Sequence, residues 1–372
     1  IYEKLTEADK QTGKNHFHAA LGELEGRGLL QWDRAANKYD LHPVVRQYAY
    51  EDASGAHAQH YARIRDHFDG LPPEDLDTVS ELHQLNRSIT IYLALVGAGL
   101  LDQASDFYGN RLQDILLYHI GAHQAAVELL TPLFPDGVDA PPALTRYEAQ
   151  TARMTDLASA YAYLGARDKE KTLMRAVIKL HLEHENAPKL GIALKNYAET
   201  LRADDALAAS LRTRELAREL AEAVDDHDGL AKAHLWLLGA YRDVGKWAEA
   251  DAAYQAFIAN PSQSQKTYWL AVAEKYRTET LIMRGLDADE ALDRAEKLTH
   301  ESRNQLGAML IQGLRGEAAL RRGAFREALA FFEDMWQSAR KSGLPKSTEN
   351  AIGGAARARA LLGDREAALE LL

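Results

Sequence analysis

Two histidines with neighbouring carboxylates come closest, by type and spacing, to a reactive site in this sequence. His181 and His184 lie three residues apart beside Glu183 and Glu185, so on one face of a helix they could share a metal ion. The spacing supplies no third ligand, and the H-E-x-x-H pattern of zinc peptidases is absent. The sequence also lacks cysteine, a G-x-x-x-x-G-K-[ST] phosphate loop and a serine nucleophile elbow. We therefore predict a solvated helix face here, no metal site, no catalytic residues and no enzyme.

The charge and hydropathy of the chain exclude two classes of partner. The 372 residues contain 44 Lys+Arg and 55 Asp+Glu, for a net charge of -11. Nucleic acids and anionic membranes require a basic field, so we predict no nucleic-acid or membrane binding. No stretch has 18 apolar residues and no secretory leader opens the sequence, so we expect a cytoplasmic protein. Because the sequence begins with Ile1 and ends inside an apolar helical pattern, we expect a piece of a longer protein.

The sequence repeats with a period of about 40 residues. Between its ten prolines run stretches rich in Ala, Leu, Glu and Arg, which are strong helix formers. A frame with an apolar residue four positions before a helix-ending Gly and an Ala five positions after it recurs, in whole or in part, every 38 to 40 residues. The anchors of this frame are Gly165, Asp205, Gly245, Gly285, Gly323 and Gly363. A left-handed residue ends one helix, and the small residue lets the next helix pack closely, so we predict stacked helix pairs.

One copy of this frame resembles the tetratricopeptide repeat. The residues that carry the resemblance are Leu237, Leu238, Tyr241, Gly245, Trp247, Ala250 and Tyr254. Leu238 departs from the family, which usually has a small residue there, and the period exceeds the usual ~34 residues, which predicts longer helices. The predicted fold class is all-α: a tetratricopeptide-like superhelix over 141–372, irregular helices over 54–140, and a small winged-helix domain over 1–53.

The winged-helix prediction rests on the order of elements in the first 53 residues. A helical pattern over 14–27 is followed by two short strands near 29–33 and 39–41, and then by His42-Pro43, which can open a second helix. Residues 1–55 contain seven Lys/Arg against nine Asp/Glu. A DNA-reading domain is expected to have the opposite balance, so the charge argues against DNA binding.

The stretch from Tyr39 to Ala49 resembles the end of the NB-ARC-type ATPase module in STAND signalling proteins. In that family an apolar-His-Asp motif lies at this junction, and its histidine reaches the β-phosphate of bound ADP. Leu41 and His42 match the first two positions, whereas Pro43 replaces the Asp. The resemblance implies that His42 contacts ADP, that an ATPase core using ADP/ATP lies upstream of Ile1, and that this fragment holds no cofactor by itself. His42 as a plain helix cap is the alternative.

The first helix of each tetratricopeptide pair lines a concave groove, which makes these helices the expected ligand site. The positions expected to face the groove are Lys195, Asn196, Glu199, Arg202, Lys232, Arg242, Lys275, Glu279 and Glu317. Lys195 and Asn196 partly resemble the family's carboxylate clamp, whereas Glu199 stands where the clamp prefers Asn. Mixed charge favours a protein or peptide trigger over a polyanion. For any single residue, a solvated helix face is the alternative.

Three functions agree with these patterns. The first is the sensor part of a STAND ATPase, with repeats that bind a trigger and a winged helix that couples to the ATPase core in cis. The second is a ligand-sensing transcription regulator with a DNA-binding winged helix. The third is a repeat adaptor scaffold without a switch.

Overall fold

The computed structural model describes residues 7–33, 38–41, 57–260, 266–302, 305–341 and 345–372. Helix α1 (Glu7–Gly26) leads into an antiparallel hairpin of strands β1 (Leu30–Asp33) and β2 (Lys38–Leu41). Leu30 pairs with Leu41, and Trp32 pairs with Tyr39. The hairpin agrees with the predicted strands, but α1 begins seven residues earlier than expected from the sequence. The second helix, predicted to open at His42, lies outside the described residues, so the winged helix stays a prediction.

Short helices of uneven length occupy the stretch before the repeats. They are α2 (His57–Asp69), α3 (Asn86–Gly97), α4 (Leu101–Arg111), a π-helical segment (Ile115–His119) and α5 (His123–Leu130), with short 3-10 turns at Leu82–Leu85 and Thr131–Leu133. Tyr92 and Tyr108 are fully buried in the core of this region. The Tyr92 hydroxyl donates a hydrogen bond of 2.5 Å to the Leu129 carbonyl, which ties α3 to α5.

Among the described residues, twelve helices follow in antiparallel pairs. In chain order they are α6 (Tyr147–Tyr163), α7 (Arg167–Glu183), α8 (Ala187–Ala203), α9 (Leu207–Ala223), α10 (His227–Asp243), α11 (Trp247–Ala259), α12 (Thr267–Arg284), α13 (Asp289–Glu301), α14 (Gln305–Arg321), α15 (Phe325–Lys341), α16 (Pro345–Leu361) and α17 (Arg365–Glu370). Each helix packs on the next, and from α8 onward the first helix of each pair also contacts the first helix of the following pair. The chain therefore has the predicted fold class, an all-α, tetratricopeptide-like helical-repeat array.

Left-handed residues end the helices at the predicted anchors. Gly165, Gly245, Gly285, Gly323 and Gly363 have φ between 70° and 93°, and Asp205 has φ of 59°. Glu185 (φ 50°) and Asp225 (φ 55°) take the same conformation at the ends of second helices, where the sequence has no glycine. Between residues 165 and 245 the turn thus recurs every 20 residues, after helices of 17 residues.

The position five residues after the anchor is buried in every pair except the one after Gly285, where Glu290 is exposed and the buried alanine, Ala291, comes one residue later. Ala250 and Ala328 are fully buried there, and small size permits close approach of the paired helices. In the first two pairs this position holds polar residues, Glu170 and Ser210. Glu170 accepts hydrogen bonds from Thr200 (2.6 Å) and Arg167 (2.8 Å), and the Ser210 hydroxyl donates to the Ala198 carbonyl at 2.7 Å. Buried hydrogen bonds satisfy these polar groups where other pairs use apolar contact.

Within the part of the chain that the structure describes, no helix is both long enough and apolar enough to cross a bilayer.

Candidate ligand groove

The inner layer of the array is formed by α8, α10 and α12, the first helices of three consecutive pairs. α10 contacts both α8 and α12 directly. Side chains on these helices, together with one from α9, form a charged network that we call the groove cluster. Its members are Lys195, Glu199, Arg202, Arg214, Arg242, Asp243, Lys275, Tyr276 and Glu279.

Glu199 is the acidic centre of the cluster on α8. Arg214 donates a hydrogen bond from Nη2 to one carboxylate oxygen at 2.6 Å, and Arg202 donates from Nε to the other at 2.9 Å. Burial by itself would raise the pKa of Glu199, but Arg214, Arg202 and Lys195 outweigh that effect and lower the pKa to about 2. Glu199 is therefore ionised at any physiological pH and fixes the two guanidinium groups.

Glu279 joins α10 to α12. Lys275 donates from Nζ to its carboxylate at 3.1 Å, and Arg242 of α10 contacts the same carboxylate. Arg242 also donates to its neighbour Asp243 at 2.6 Å. Burial, followed by the nearby charge of Arg242, lowers the pKa of Lys275 to about 8, and its side chain is only 17% exposed. The protein thus holds this lysine in an environment that disfavours its charge.

Cations outnumber carboxylates in the groove cluster. It contains five cationic side chains against the three carboxylates of Glu199, Asp243 and Glu279, a local charge of +2 in a chain of net charge -11. Lys195 contacts the neutral Asn196 amide oxygen at 3.4 Å and lies 6.0 Å from the ring centre of Trp236. In the described ranges it has no carboxylate within 4.0 Å. Burial lowers the pKa of Lys195, and the nearby Glu199 carboxylate opposes that effect.

An open cleft of about 560 Å³ lies beside the cluster. One wall presents Tyr118 and Tyr163, both about half exposed. The other wall carries Lys195, Asn196, Glu199 and Arg202 of α8, and Glu349 of α16 also lines the cleft. The cleft can hold an extended chain whose apolar groups meet the tyrosines and whose polar groups meet α8.

Lys232 and Glu317 lie apart from the groove cluster, although the sequence predicted both for the groove. Lys232 stands over the ring of Trp269 at 5.7 Å and lines a separate cleft of about 180 Å³ with Trp236. Glu317 pairs with Arg357 between α14 and α16, further along the array. The other predicted positions lie in the cluster or beside it.

Sequence reasoning missed Arg214, Asp243 and Tyr276. Arg214 lies on α9, a second helix, and the groove positions were sought only on first helices. The Arg214 side chain is 3% exposed, and its Nη1 donates to the Trp236 carbonyl at 2.8 Å. Arg214 therefore reaches the inner layer from the layer of second helices. An arginine at a helix position otherwise expected to be apolar was the available signal.

The histidine pair considered for a metal site is packed against an aromatic ring. The ring of His184 stacks on that of Tyr147 at 3.8 Å between centroids, and His181 is buried edge-on to Tyr147 at 6.1 Å. The prediction of a solvated face was wrong for His181, because this side chain is 5% exposed. The described ranges contain no group of three metal-ligating side chains. His42, the residue assigned to ADP, lies outside the described residues.

Comparisons with known proteins find similarity at the level of structure. No protein-family model and no curated protein sequence matches the chain. Aspartyl phosphate phosphatase F from Bacillus subtilis has a TM-score of 0.54 at 12% identity, over 82% of this chain and 78% of that one. A Rap protein complexed with competence and sporulation factor has a TM-score of 0.46 at 12% identity, over 86% and 99% of the two chains. A STAND protein with a tetratricopeptide repeat sensor from Pyrococcus horikoshii has a TM-score of 0.34 at 14% identity, over 94% of this chain and 56% of that one. The likeness to aspartyl phosphate phosphatase F, at a TM-score above 0.5, supports a tetratricopeptide-like repeat fold.

Proposed function

We propose that this chain is the sensor part of a STAND-type signalling ATPase, and that its repeats bind a protein or peptide trigger along the inner helices. The observation that carries this proposal is the groove cluster. Charged side chains from three consecutive repeats converge on α8, α10 and α12. On an ordinary solvent-exposed helix surface, such charged side chains would extend into water.

The burial of these charges supports a binding role over a purely structural one. The side chains of Arg242 and Lys275 are only 12% and 17% exposed. Burial also lowers the pKa of Lys195 and of Lys275. Desolvated cations weaken the fold, and side chains with perturbed pKa values concentrate at functional sites. The open cleft beside α8 gives such a ligand room to enter.

The coupling to an ATPase belongs to the same proposal and rests on the resemblance at Leu41 and His42. In the full-length protein His42 donates to the β-phosphate of ADP and helps to hold the resting state. Replacing it removes one charge-assisted hydrogen bond, about 1.5–3 kcal/mol. His42→Ala is expected to raise activity in the absence of trigger by one to two decades. A full-length variant whose activity without trigger is as low as that of the wild type would contradict this role.

Peptide selection tests the trigger-binding role. A random peptide library is displayed and selected on the whole chain, and the selected peptides are measured against two variants. Ala203→Trp fills the cleft, because Ala203 lines it and is exposed. Ala208→Trp is the matched control, since Ala208 is an exposed alanine on the second helix α9. We expect selected peptides to lose at least ten-fold in affinity for the first variant and to bind the second like wild type. Peptides that bind both variants equally would refute groove binding.

A further inference from the structure

We infer that the superhelix closes on itself through an ion pair between Glu349 of the last helix pair, α16 and α17, and Lys195 of α8. The contact acts as a clasp across the open cleft, which it shuts in one state of the chain and releases in another. The inference goes beyond the proposed function, because it concerns the chain alone and needs no ligand.

The curvature of the array brings helix pairs that are distant in sequence to one cleft. The open cleft is lined by Ser159 of α6 and Lys195 of α8, and also by Glu349 of α16. In a repeat array each pair contacts its neighbours, and distant pairs meet only where the curvature of the superhelix brings them together. The pair of α16 and α17 therefore faces the first two pairs across the cleft.

Two of the three cations that line the cleft have a carboxylate partner on their own helix. Arg167 pairs with Glu170 at 2.8 Å, and Arg202 pairs with Glu199 at 2.9 Å. Lys195 is the third cation, and in the described ranges no carboxylate lies within 4.0 Å of its Nζ. Lys195 is thus the cation of this cleft that lacks a counter-ion.

Glu349 is the carboxylate of the cleft that lacks a cation. It is exposed, and it makes no ion pair within 4.0 Å among the residues that the structure describes. The equivalent residues of four earlier pairs, Thr151, Ala231, Ala271 and Met309, are buried. The packing that holds this position elsewhere is therefore absent at Glu349, and its side chain can turn into the cleft.

The environment of Lys195 favours closure. Burial lowers the pKa of Lys195, so its charged form is short of solvation. An approaching carboxylate stabilises the charged form of a buried lysine. A pair with one partly buried partner is also worth more than a pair between two exposed side chains. Small rotations between neighbouring pairs add along a repeat array, so a slight tightening at each interface can bring Glu349 to Lys195.

Distance measurements between spin labels test the clasp. The sequence contains no cysteine, so Asp168→Cys and Asn350→Cys supply the only thiols for labelling. Both positions are exposed, and each follows a residue that lines the cleft. Double electron–electron resonance of the whole chain, without any ligand, then reports the distance across the cleft.

Four variants of the labelled chain separate the clasp from general effects of charge. Glu349→Gln and Lys195→Met each remove one partner, and Glu349→Lys places a second cation opposite Lys195. Glu366→Lys is the matched control, because Glu366 is an exposed glutamate of α17 that does not line the cleft. It changes the net charge as much as Glu349→Lys does. Circular dichroism and melting curves establish that each variant is folded.

We expect the wild type to show a short-distance and a long-distance population. Glu349→Gln and Lys195→Met should each lower the ratio of short to long about ten-fold, the size of one charge-assisted hydrogen bond. The two changes together should do no more than either one, since they remove the same contact. Glu349→Lys should abolish the short-distance population, and Glu366→Lys should leave it as in the wild type.

Salt gives a second, independent readout. The Debye length falls from about 10 Å at about 0.1 M salt to about 3 Å at about 1 M. Because Glu349 is exposed, its attraction to Lys195 is screened over this range, and the wild type should shift to the long-distance population. Glu349→Gln has no charge to screen at this position, so its distances should change little.

Four outcomes would overturn the inference. They are a wild type with only the long-distance population, the same distances in Glu349→Lys and Glu366→Lys, additive effects of Glu349→Gln and Lys195→Met, and a salt response that Glu349→Gln retains. Peptide binding does not enter this experiment. The clasp therefore stands or fails independently of the trigger-binding role.

Discussion

Arg214 lies on the second helix of its pair, and its guanidinium group still reaches the inner layer to donate a hydrogen bond of 2.6 Å to Glu199. Its other terminal nitrogen donates to the Trp236 carbonyl on α10 at 2.8 Å. One buried side chain therefore joins α8, α9 and α10, the helices of two consecutive repeats.

Replacing Arg214 should unfold the array more easily. Arg214→Leu removes a buried charge from its carboxylate partner and leaves a backbone carbonyl without its donor, a loss of about 3 kcal/mol. Urea unfolding followed by circular dichroism measures the change. Arg212→Leu is the matched control on the same helix, because Arg212 is 57% exposed and its surface pairs with Glu215 and Glu219 should matter little. Equal stability of the two variants would show that Arg214 does not join the repeats.

The turn residues make an opposite pair of predictions. Glu185 has φ of 50°, a conformation that strains any residue with a Cβ, so Glu185→Gly should stabilise the chain by about 1 kcal/mol. Gly165→Ala should destabilise it by a similar amount, because Gly165 has φ of 75°, which strains a residue with a Cβ. The added Cβ would meet no other atom within 4 Å, so the backbone strain is the whole effect. Thermal melting of both variants checks the prediction. Shifts of the same sign would refute the assignment of left-handed turns.

A buried hydrogen bond ties the third repeat to the fourth. The hydroxyl of Tyr254 on α11 donates to Glu274 on α12 at 2.6 Å, and Glu274 is fully buried. Tyr254→Phe should therefore destabilise the chain by about 1.5–3 kcal/mol, the range for hydrogen bonds to charged groups. Tyr268→Phe, at a half-exposed tyrosine of α12, serves as the control. A Tyr254 variant as stable as this control in chemical unfolding would contradict the contact.

The sequence predicted the repeats because glycine readily takes the left-handed conformation that ends a helix. The anchors from Gly165 to Gly363 take the left-handed conformation, and Asp205 does so at the position where its spacing required it. The turns at Glu185 and Asp225 carried no such signal, since neither residue type favours positive φ enough to mark it. The sequence therefore marked only every second turn, the one at the end of each first helix.

The groove was predictable in its helices and less so in its partners. Lys195, Arg242 and Lys275 could be placed on first helices by counting from the anchors. Their ion pairs depend on how neighbouring repeats are rotated, which no spacing within one repeat determines. Arg214 enters the cluster from a second helix for the same reason. His42 and its role with ADP lie outside the described residues and stay a prediction.

Lys275 should make the stability of the chain depend on alkaline pH. Its pKa is about 8 in the folded chain against 10.5 for the free side chain, so between these values the unfolded chain binds more protons. Stability from this group therefore rises as the pH increases from 8 to 10.5, by up to about 3 kcal/mol. Lys275→Met should be more stable than wild type at pH 7, and the difference should shrink towards pH 10. Urea unfolding of both chains at pH 7, 8.5 and 10 measures it, and a variant less stable at pH 7 would contradict the desolvation of Lys275.

Hydrogen–deuterium exchange of the whole chain, with and without a selected peptide, locates the trigger-binding surface. Bound peptide is expected to slow exchange in the inner helices α8, α10 and α12. The second helices α9 and α11 serve as internal controls, and their exchange should change less. Protection confined to the second helices, or to the residues before Tyr147, would contradict a trigger-binding groove on the inner face.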